Sequence, residues 1–338
     1  MPAPIPQRAR SVFFLGAGFS RALGLPNTAE LLTEVHKLAQ ARNLTIERKL
    51  RAAYGYFYPE EAGAFVPEVV DFFSVLRAYE DVSGTAAGGA PRFPGGFKHP
   101  GLLTELRLVV VRLLCDRLRQ IHIPADGWPN VDEMLSPGNT VITSNWDLFV
   151  EWYAQCRGIR LRLGGAQNDS TLTLIKLHGS VDWTEWRFRK SAHAGRGDYA
   201  VLRELQNTRG HGIKIKTGDM LRVRAVENMS KSWQFIKART SRPHMIMMSQ
   251  GKTVDMAPIQ SMWDDAYAAV CAANDVRIIG YSLPEDDVEI RTLLRAGVSR
   301  GSTQPRVVVQ NPEPGVHVRV RTYITRDAES DYAAFAPG

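Results

Sequence analysis

Short apolar runs alternate with longer amphipathic stretches along the chain. Ser11 to Leu15, Thr140 to Thr143, Leu172 to Leu177, Val276 to Ile279 and Arg306 to Gln310 are brief, β-branched or apolar segments, as expected of buried strands. Helical spacing separates them: Leu31, Val35 and Leu38 fall on one face, and Leu102 to Gln120 forms a long helix candidate. This order predicts an α/β fold, Rossmann-like, with a mainly parallel sheet and helices on both faces. Val316 to Ile324 alternates apolar and polar residues (Val318, Arg319, Val320, Arg321) and reads as a strand at the sheet edge.

Turn chemistry marks the boundaries. Asn27-Thr-Ala-Glu30 behind Pro26 has the spacing of a helix capping box. Residues 82 to 101, rich in Gly, Ala and Pro, read as a flexible loop between a helical region ending near Glu80 and the long helix. No internal repeat is visible.

Composition narrows the class. With 338 residues and 44% hydrophobic content, the chain can bury one large core, or a core plus a smaller module. Prolines occupy the N-terminus where a signal peptide needs an apolar run, and Arg112 interrupts the longest apolar stretch, Leu108 to Cys115. A cytoplasmic protein without membrane segments is expected. Cys115, Cys156 and Cys271 lie far apart in apolar contexts, so they read as small core residues, with neither a disulfide framework nor a metal knuckle.

The net charge of +7 is uneven: residues 187 to 252 hold fifteen Lys/Arg against four Asp/Glu. This divides the chain into a Rossmann-like domain, residues 1–186 and 253–338, and a basic insertion, 187–252. The insertion is either a solvated module or a surface for an acidic partner. Trp233 and Phe235, beside Lys231 and Lys237, suit a small local core as well as base stacking, and direct nucleic-acid binding is the weaker reading.

Five strand ends carry small or hydrogen-bonding residues. Gly16, Ala17, Gly18 and Ser20 follow the first strand, where backbone N–H groups can approach a phosphate, and Gly24-Leu-Pro26 returns the chain towards a helix. Thr143-Ser-Asn-Trp-Asp147 follows the second; Asn145 can orient a hydroxyl or a water, whereas Asn145 and Asp147 can equally cap the next helix, and Glu151 reads as structural. Lys176-Leu-His178-Gly-Ser180-Val-Asp182 offers a histidine suited to accept a proton near neutral pH. Gly280-Tyr-Ser282-Leu-Pro-Glu-Asp286-Asp287 and Asn311-Pro312 complete the set. Together they predict one crevice across the carboxyl ends of the strands.

In this order the five motifs resemble the sirtuin (silent-information-regulator-like) family over about residues 11 to 186 and 263 to 313. The resemblance implies NAD as substrate, held by Gly16, Ala17, Gly18, Ser20, Pro26, Asp147, Gly280, Ser282 and Asn311, with Asn145 and His178 as the catalytic pair. Deacylases of the family carry zinc-binding cysteines and an acidic Phe-Gly-Glu loop. Here the basic insertion stands in place of the zinc module, so neither zinc nor another metal is expected, and Met247-Met-Ser-Gln-Gly251 stands near the place of the peptide loop. The family's Asp-Phe-Arg is replaced by Asn27-Thr28-Ala29.

The Gly-Tyr-Ser-Leu-Pro and Lys-Leu-His-Gly-Ser versions are similar to those of sirtuin-like proteins from bacterial anti-phage systems. That likeness implies hydrolysis of NAD to ADP-ribose and nicotinamide. It further implies a homo-oligomer, or a protein partner such as a HerA-type ATPase or a short Argonaute. Two other readings stay open: an NAD-dependent deacylase or ADP-ribosyltransferase, and an NAD or ADP-ribose sensor without turnover.

Overall fold

The computed structural model describes residues 10–42, 44–59, 66–84, 99, 101–166, 169–187, 199–203, 213–214, 241–249, 256, 259–300 and 304–337. Seven of its strands form one sheet: β1 (Ser11–Leu15), β2 (Thr140–Thr143), β3 (Leu161–Leu163), β4 (Leu172–Lys176), β9 (Asp275–Ile279), β10 (Arg306–Gln310) and β11 (Glu329–Asp331). A second sheet contains β5 (Gly179–Arg187), β6 (Tyr199–Arg203), β7 (Ile213–Lys214) and β8 (Ser241–Met245).

The large sheet runs β11-β10-β9-β1-β2-β4-β3, and every neighbouring pair is parallel. Its inner strands are almost wholly apolar because both faces are covered: Val12, Phe14, Leu15, Val141, Ile142, Leu174 and Ile175 are completely buried. From β1 the chain builds outwards through β2 to one side and later through β9 to the other. The β1–β9 seam is therefore the topological switch point, where open α/β sheets place their ligands. The small sheet, β7-β6-β5-β8, is antiparallel.

Helices flank the large sheet. α1 (Ala17–Ala22) leaves β1 directly; α2 (Leu31–Ala41), α3 (Thr45–Phe57), α4 (Val69–Gly84) and α5 (Leu102–Leu118) follow, and α5 packs against the other three. α6 (Pro129–Met134) precedes β2, and α7 (Phe149–Cys156) follows it. α8 (Gln260–Cys271) precedes β9 in the chain and α9 (Val288–Arg300) follows it, the two packing against each other, and α10 (Pro314–Tyr323) joins β10 to β11. Phe14, Phe19, Phe72, Phe73, Phe149, Tyr153 and Trp183 are among the largest side chains buried in the shared core.

The five strands read from the sequence are present. The expected edge strand over Val316 to Ile324 is instead the helix α10 with an added residue. Val316, His317 and Val320 are buried and Val318 is 62% exposed, an i, i+4 pattern that the local alternation obscured. The true edge strand, β11, is Glu-Ser-Asp and carries no apolar signal.

Of the cysteines, Cys115 is buried as expected but Cys156 is exposed and Cys271 lies between. No helix among the described residues is long and apolar enough to cross a membrane. Most of the loop from 82 to 101, and most of the basic insertion with Trp233 and Phe235, lie outside the described residues. The parts of 187–252 that are described are strands and the segment Ile246 to Ser249, and Ile246 and Met247 are buried in the main core.

Candidate functional site

Strand register brings the five motifs to one line. Across the sheet Gln310 lies beside Ile279, Ile279 beside Leu15, Leu15 beside Thr143 and Thr143 beside Lys176. Each motif begins at or directly after one of these residues, so all five emerge from the same edge. Neighbouring parallel strands lie about 4.8 Å apart, which places Asn145 and His178, each two residues beyond its row position, at adjacent strand ends.

The seam between β1 and β9 is closed by glycines. Gly16 N–H donates to the Ile279 carbonyl at 3.0 Å and Gly18 N–H to the Gly280 carbonyl at 2.7 Å. A Cβ on Gly16 would meet Tyr281 Cα at 2.4 Å, and one on Gly280, whose φ is +61°, would meet the Phe19 nitrogen at 2.2 Å. Side chains are thus excluded by the approach of one strand end to the other. The amides of Gly16 and Gly18 are engaged within the protein, which leaves fewer of this loop's N–H groups to meet a phosphate than the Gly-x-Gly pattern alone implies.

Asn145 is the hub between this loop and β2. Its amide nitrogen donates to the Gly16 carbonyl at 2.8 Å and to Ser20 Oγ at 2.9 Å, and its backbone N–H donates to Thr143 Oγ1 at 3.0 Å. These bonds assign the amide's orientation, and Oδ1 is the atom left to accept from a hydroxyl or a water. Ser20 Oγ in turn donates to Asp147 Oδ2 at 2.7 Å, while Asp147 Oδ1 accepts from Phe149 N–H at 2.9 Å. Asp147 therefore caps α7 and braces Ser20, the structural role that its position at a strand-to-helix turn allowed.

Lys176 carries no expected role, yet it binds the β2 and β4 motifs together. Its completely buried ammonium donates to the Asp147 carbonyl at 2.5 Å, to Ser180 Oγ at 2.9 Å and to Glu151 Oε1 at 3.1 Å. Such a charge is tolerated inside a protein only with a countercharge and full hydrogen bonding. The signal was a lysine at the end of an apolar strand with an acidic residue on the helix after the neighbouring strand β2.

His178 occupies the two-residue turn between β4 and β5, where the chain passes from the large sheet into the small one. Its carbonyl accepts from Ile246 N–H at 2.9 Å. Gly179 has φ +76°, and a Cβ there would lie 2.1 Å from the His244 carbonyl oxygen, so only glycine permits this crossing. The imidazole is 3% exposed, with Nε2 3.7 Å from Asp287 Oδ1 and the Trp263 ring centred 6.4 Å away.

Beyond β9, Tyr281 Oη donates to Asp287 Oδ2 at 2.7 Å. Burial, with the Asp287 charge beside it, pushes this phenol well above its ordinary value, so it remains a donor. Leu283 has φ +51°, a left-handed conformation costing a branched side chain about 1–2 kcal/mol. The Ser282 carbonyl accepts from Arg319 on α10 at 3.0 Å. Asn311 caps the next turn through Oδ1 to Glu313 N–H at 2.9 Å, and its carbonyl meets His317 Nε2 at 2.7 Å.

Ala17 opens α1, and Pro26 lies in the connector before the Asn27 turn, half-buried. Thr28 reaches Met248 Sδ at 3.5 Å, so the segment after Pro26 and the segment after β8 touch one another. Among the described residues no group of three His, Cys, Asp or Glu side chains is gathered to hold a metal.

No family model and no curated protein matches the chain. Solved Sir2 structures do. The chain is similar to a structure concerned with the mechanism and regulation of Sir2 enzymes, at 11% identity, over 97% of this chain and 88% of that one, with a TM-score of 0.40. It is also similar to a Sir2 homologue variant in complex with ADP-ribose, at 12% identity, over 96% and 86%, with a TM-score of 0.39.

Proposed function

We propose that this chain is an NAD hydrolase, cleaving the bond between nicotinamide and ribose to give ADP-ribose. The observation that carries the reading is Asn145. It is bound through Nδ2 to the first glycine loop and to Ser20, with Oδ1 left as its acceptor, one strand away from a buried histidine. The five motifs in sirtuin order supply the choice of NAD.

The step asks little acid chemistry of the protein. The C1′–N bond breaks with its electron pair going to the pyridinium nitrogen, so nicotinamide departs neutral and positive charge remains on the ribose carbon, as in glycoside hydrolysis. Asn145 Oδ1 orients the attacking water or a ribose hydroxyl, and His178 accepts the proton that the water loses. Burial of His178 against Trp263 supports a site from which bulk water is excluded.

Transfer to an acyl-lysine is the weaker reading, because by the resemblance Asn27-Thr28-Ala29 stands where deacylases have Asp-Phe-Arg and Met247-Met-Ser-Gln-Gly251 stands roughly where they have the peptide loop. A role in anti-phage defence with an oligomer or a partner ATPase or Argonaute follows from the resemblance alone. The test is nicotinamide release from the full chain, alone and with its operon neighbours. Asn145→Ala and His178→Ala are each expected to lose about 10²–10⁴ of the rate. Release that continues unchanged in both variants overturns the assignment.

A further inference from the structure

We infer that Asp287 is a positioning residue that works through His178, with Tyr281 anchoring it. This rests on the reading of His178 as the base. The motif Gly280-Tyr-Ser-Leu-Pro-Glu-Asp-Asp287 contains more than the glycine turn needs, and its last residue returns to the reacting histidine from the far side of the β1–β9 seam.

Asp287 Oδ1 lies 3.7 Å from His178 Nε2, and both side chains are buried, with 8% and 3% exposure. That separation exceeds a formed hydrogen bond, but catalytic contacts are commonly long before substrate is bound. The carboxylate is not left to find its own direction. Tyr281 Oη holds Oδ2 at 2.7 Å, and Asp287 N–H donates to the Pro284 carbonyl at 3.2 Å. Leu283 takes its left-handed conformation within the same turn, and strain of this kind concentrates where a turn has to present a side chain.

Two further titratable groups near His178 have other contacts. His244 on β8 lies behind Gly179, and the Lys176 ammonium faces Asp147, Glu151 and Ser180. Trp263 on α8 adds an uncharged wall. Among the described residues, Asp287 is the carboxylate that lies 3.7 Å from this imidazole, and it is placed to stabilise a proton there. As water attacks the ribose carbon, its proton passes to the ring nitrogen turned away from Asp287, and the imidazolium so formed is held at Nε2 by the carboxylate. Fixing one ring nitrogen determines what the other can do.

The experiment compares wild type with Asp287→Asn, Asp287→Glu and Tyr281→Phe in the full chain, measuring nicotinamide release against pH and, by NMR, the titration of the His178 imidazole. Asp287→Asn is expected to lower kcat at least about tenfold, by less than loss of the base itself, with KM for NAD little changed. It is also expected to move the His178 titration and the acid limb of the pH profile to lower pH by about one unit, because an opposite charge at this range favours the protonated ring. Asp287→Glu should restore part of both, and Tyr281→Phe should fall between. An unchanged His178 titration in Asp287→Asn overturns the inference, as does a loss confined to KM. Should Asp287→Asn fail to fold, Tyr281→Phe and Asp287→Glu decide by the same two readouts. Wild type that releases no nicotinamide under any condition counts against the hydrolase reading, whereas the His178 titration still decides whether Asp287 and His178 act as a pair.

Discussion

Lys176 shows how a single buried residue serves two motifs. It is completely buried, as is nearly all of Glu151, and its three bonds hold the end of the Asn145 segment and the turn after His178 at one point. Lys176→Met removes the ammonium and leaves the Glu151 carboxylate in an apolar setting, which is expected to cost about 3–5 kcal/mol. Replacing both partners by apolar residues of similar size, Lys176→Met with Glu151→Leu, should recover most of that stability. It should not recover the alignment of Asn145 with His178. Chemical denaturation gives the first result and nicotinamide release the second, and a double variant with full activity would contradict the bracing role. The sequence presented Lys176 only as the first residue of a motif, since the partner that explains it, Glu151, lies 25 positions away on another element.

At the scale of elements, what was legible depended on whether the signal was local. The capping box is an example: Asn27 Oδ1 accepts from Glu30 N–H at 3.0 Å and Asn27 N–H donates to Glu30 Oε2 at 3.1 Å, directly before α2. Asn27→Ala is expected to cost about 1 kcal/mol, seen as a lower urea midpoint at unchanged slope. A variant as stable as wild type would show that the turn is held by its surroundings instead.

The five central strands were equally readable, because burial on both faces forces a continuous apolar run. α10 was not, since Val316, Val318 and Val320 mimic strand alternation while the buried His317 breaks the helical signal. β11 gave no warning at all. Its residues are polar, and it is held by backbone pairing to β10 and by the Arg306–Glu329 ion pair at 2.6 Å. Likewise the sequence placed Gly16, Gly18 and Gly280 at one crevice, but only the packing reveals that they make room for each other.

On the scale of the whole molecule, the proposed site lies across the seam of two half-sheets, β3-β4-β2-β1 and β9-β10-β11, joined by one parallel ladder and the glycine contacts beyond it. The proposal draws on both halves: Asn145, Ser20 and His178 from one, Gly280, Asp287 and Asn311 from the other. A ligand that spans the seam binds the folded chain and not its separated halves, so it should raise thermal stability by mass action, about 2.7 kcal/mol at a hundred times its Kd. Under the proposed roles, NAD and ADP-ribose should both stabilise wild type, and His178→Ala should keep that stabilisation while losing nicotinamide release. Asn145→Ala should weaken it, because the amide links the glycine loop to β2 as well as facing the ribose. A thermal shift series with the two ligands, read beside nicotinamide release, separates binding from turnover. Stabilisation by ADP-ribose with no release from wild type in any context would favour the sensor over the hydrolase, and no stabilisation by either ligand would remove the seam as the binding site.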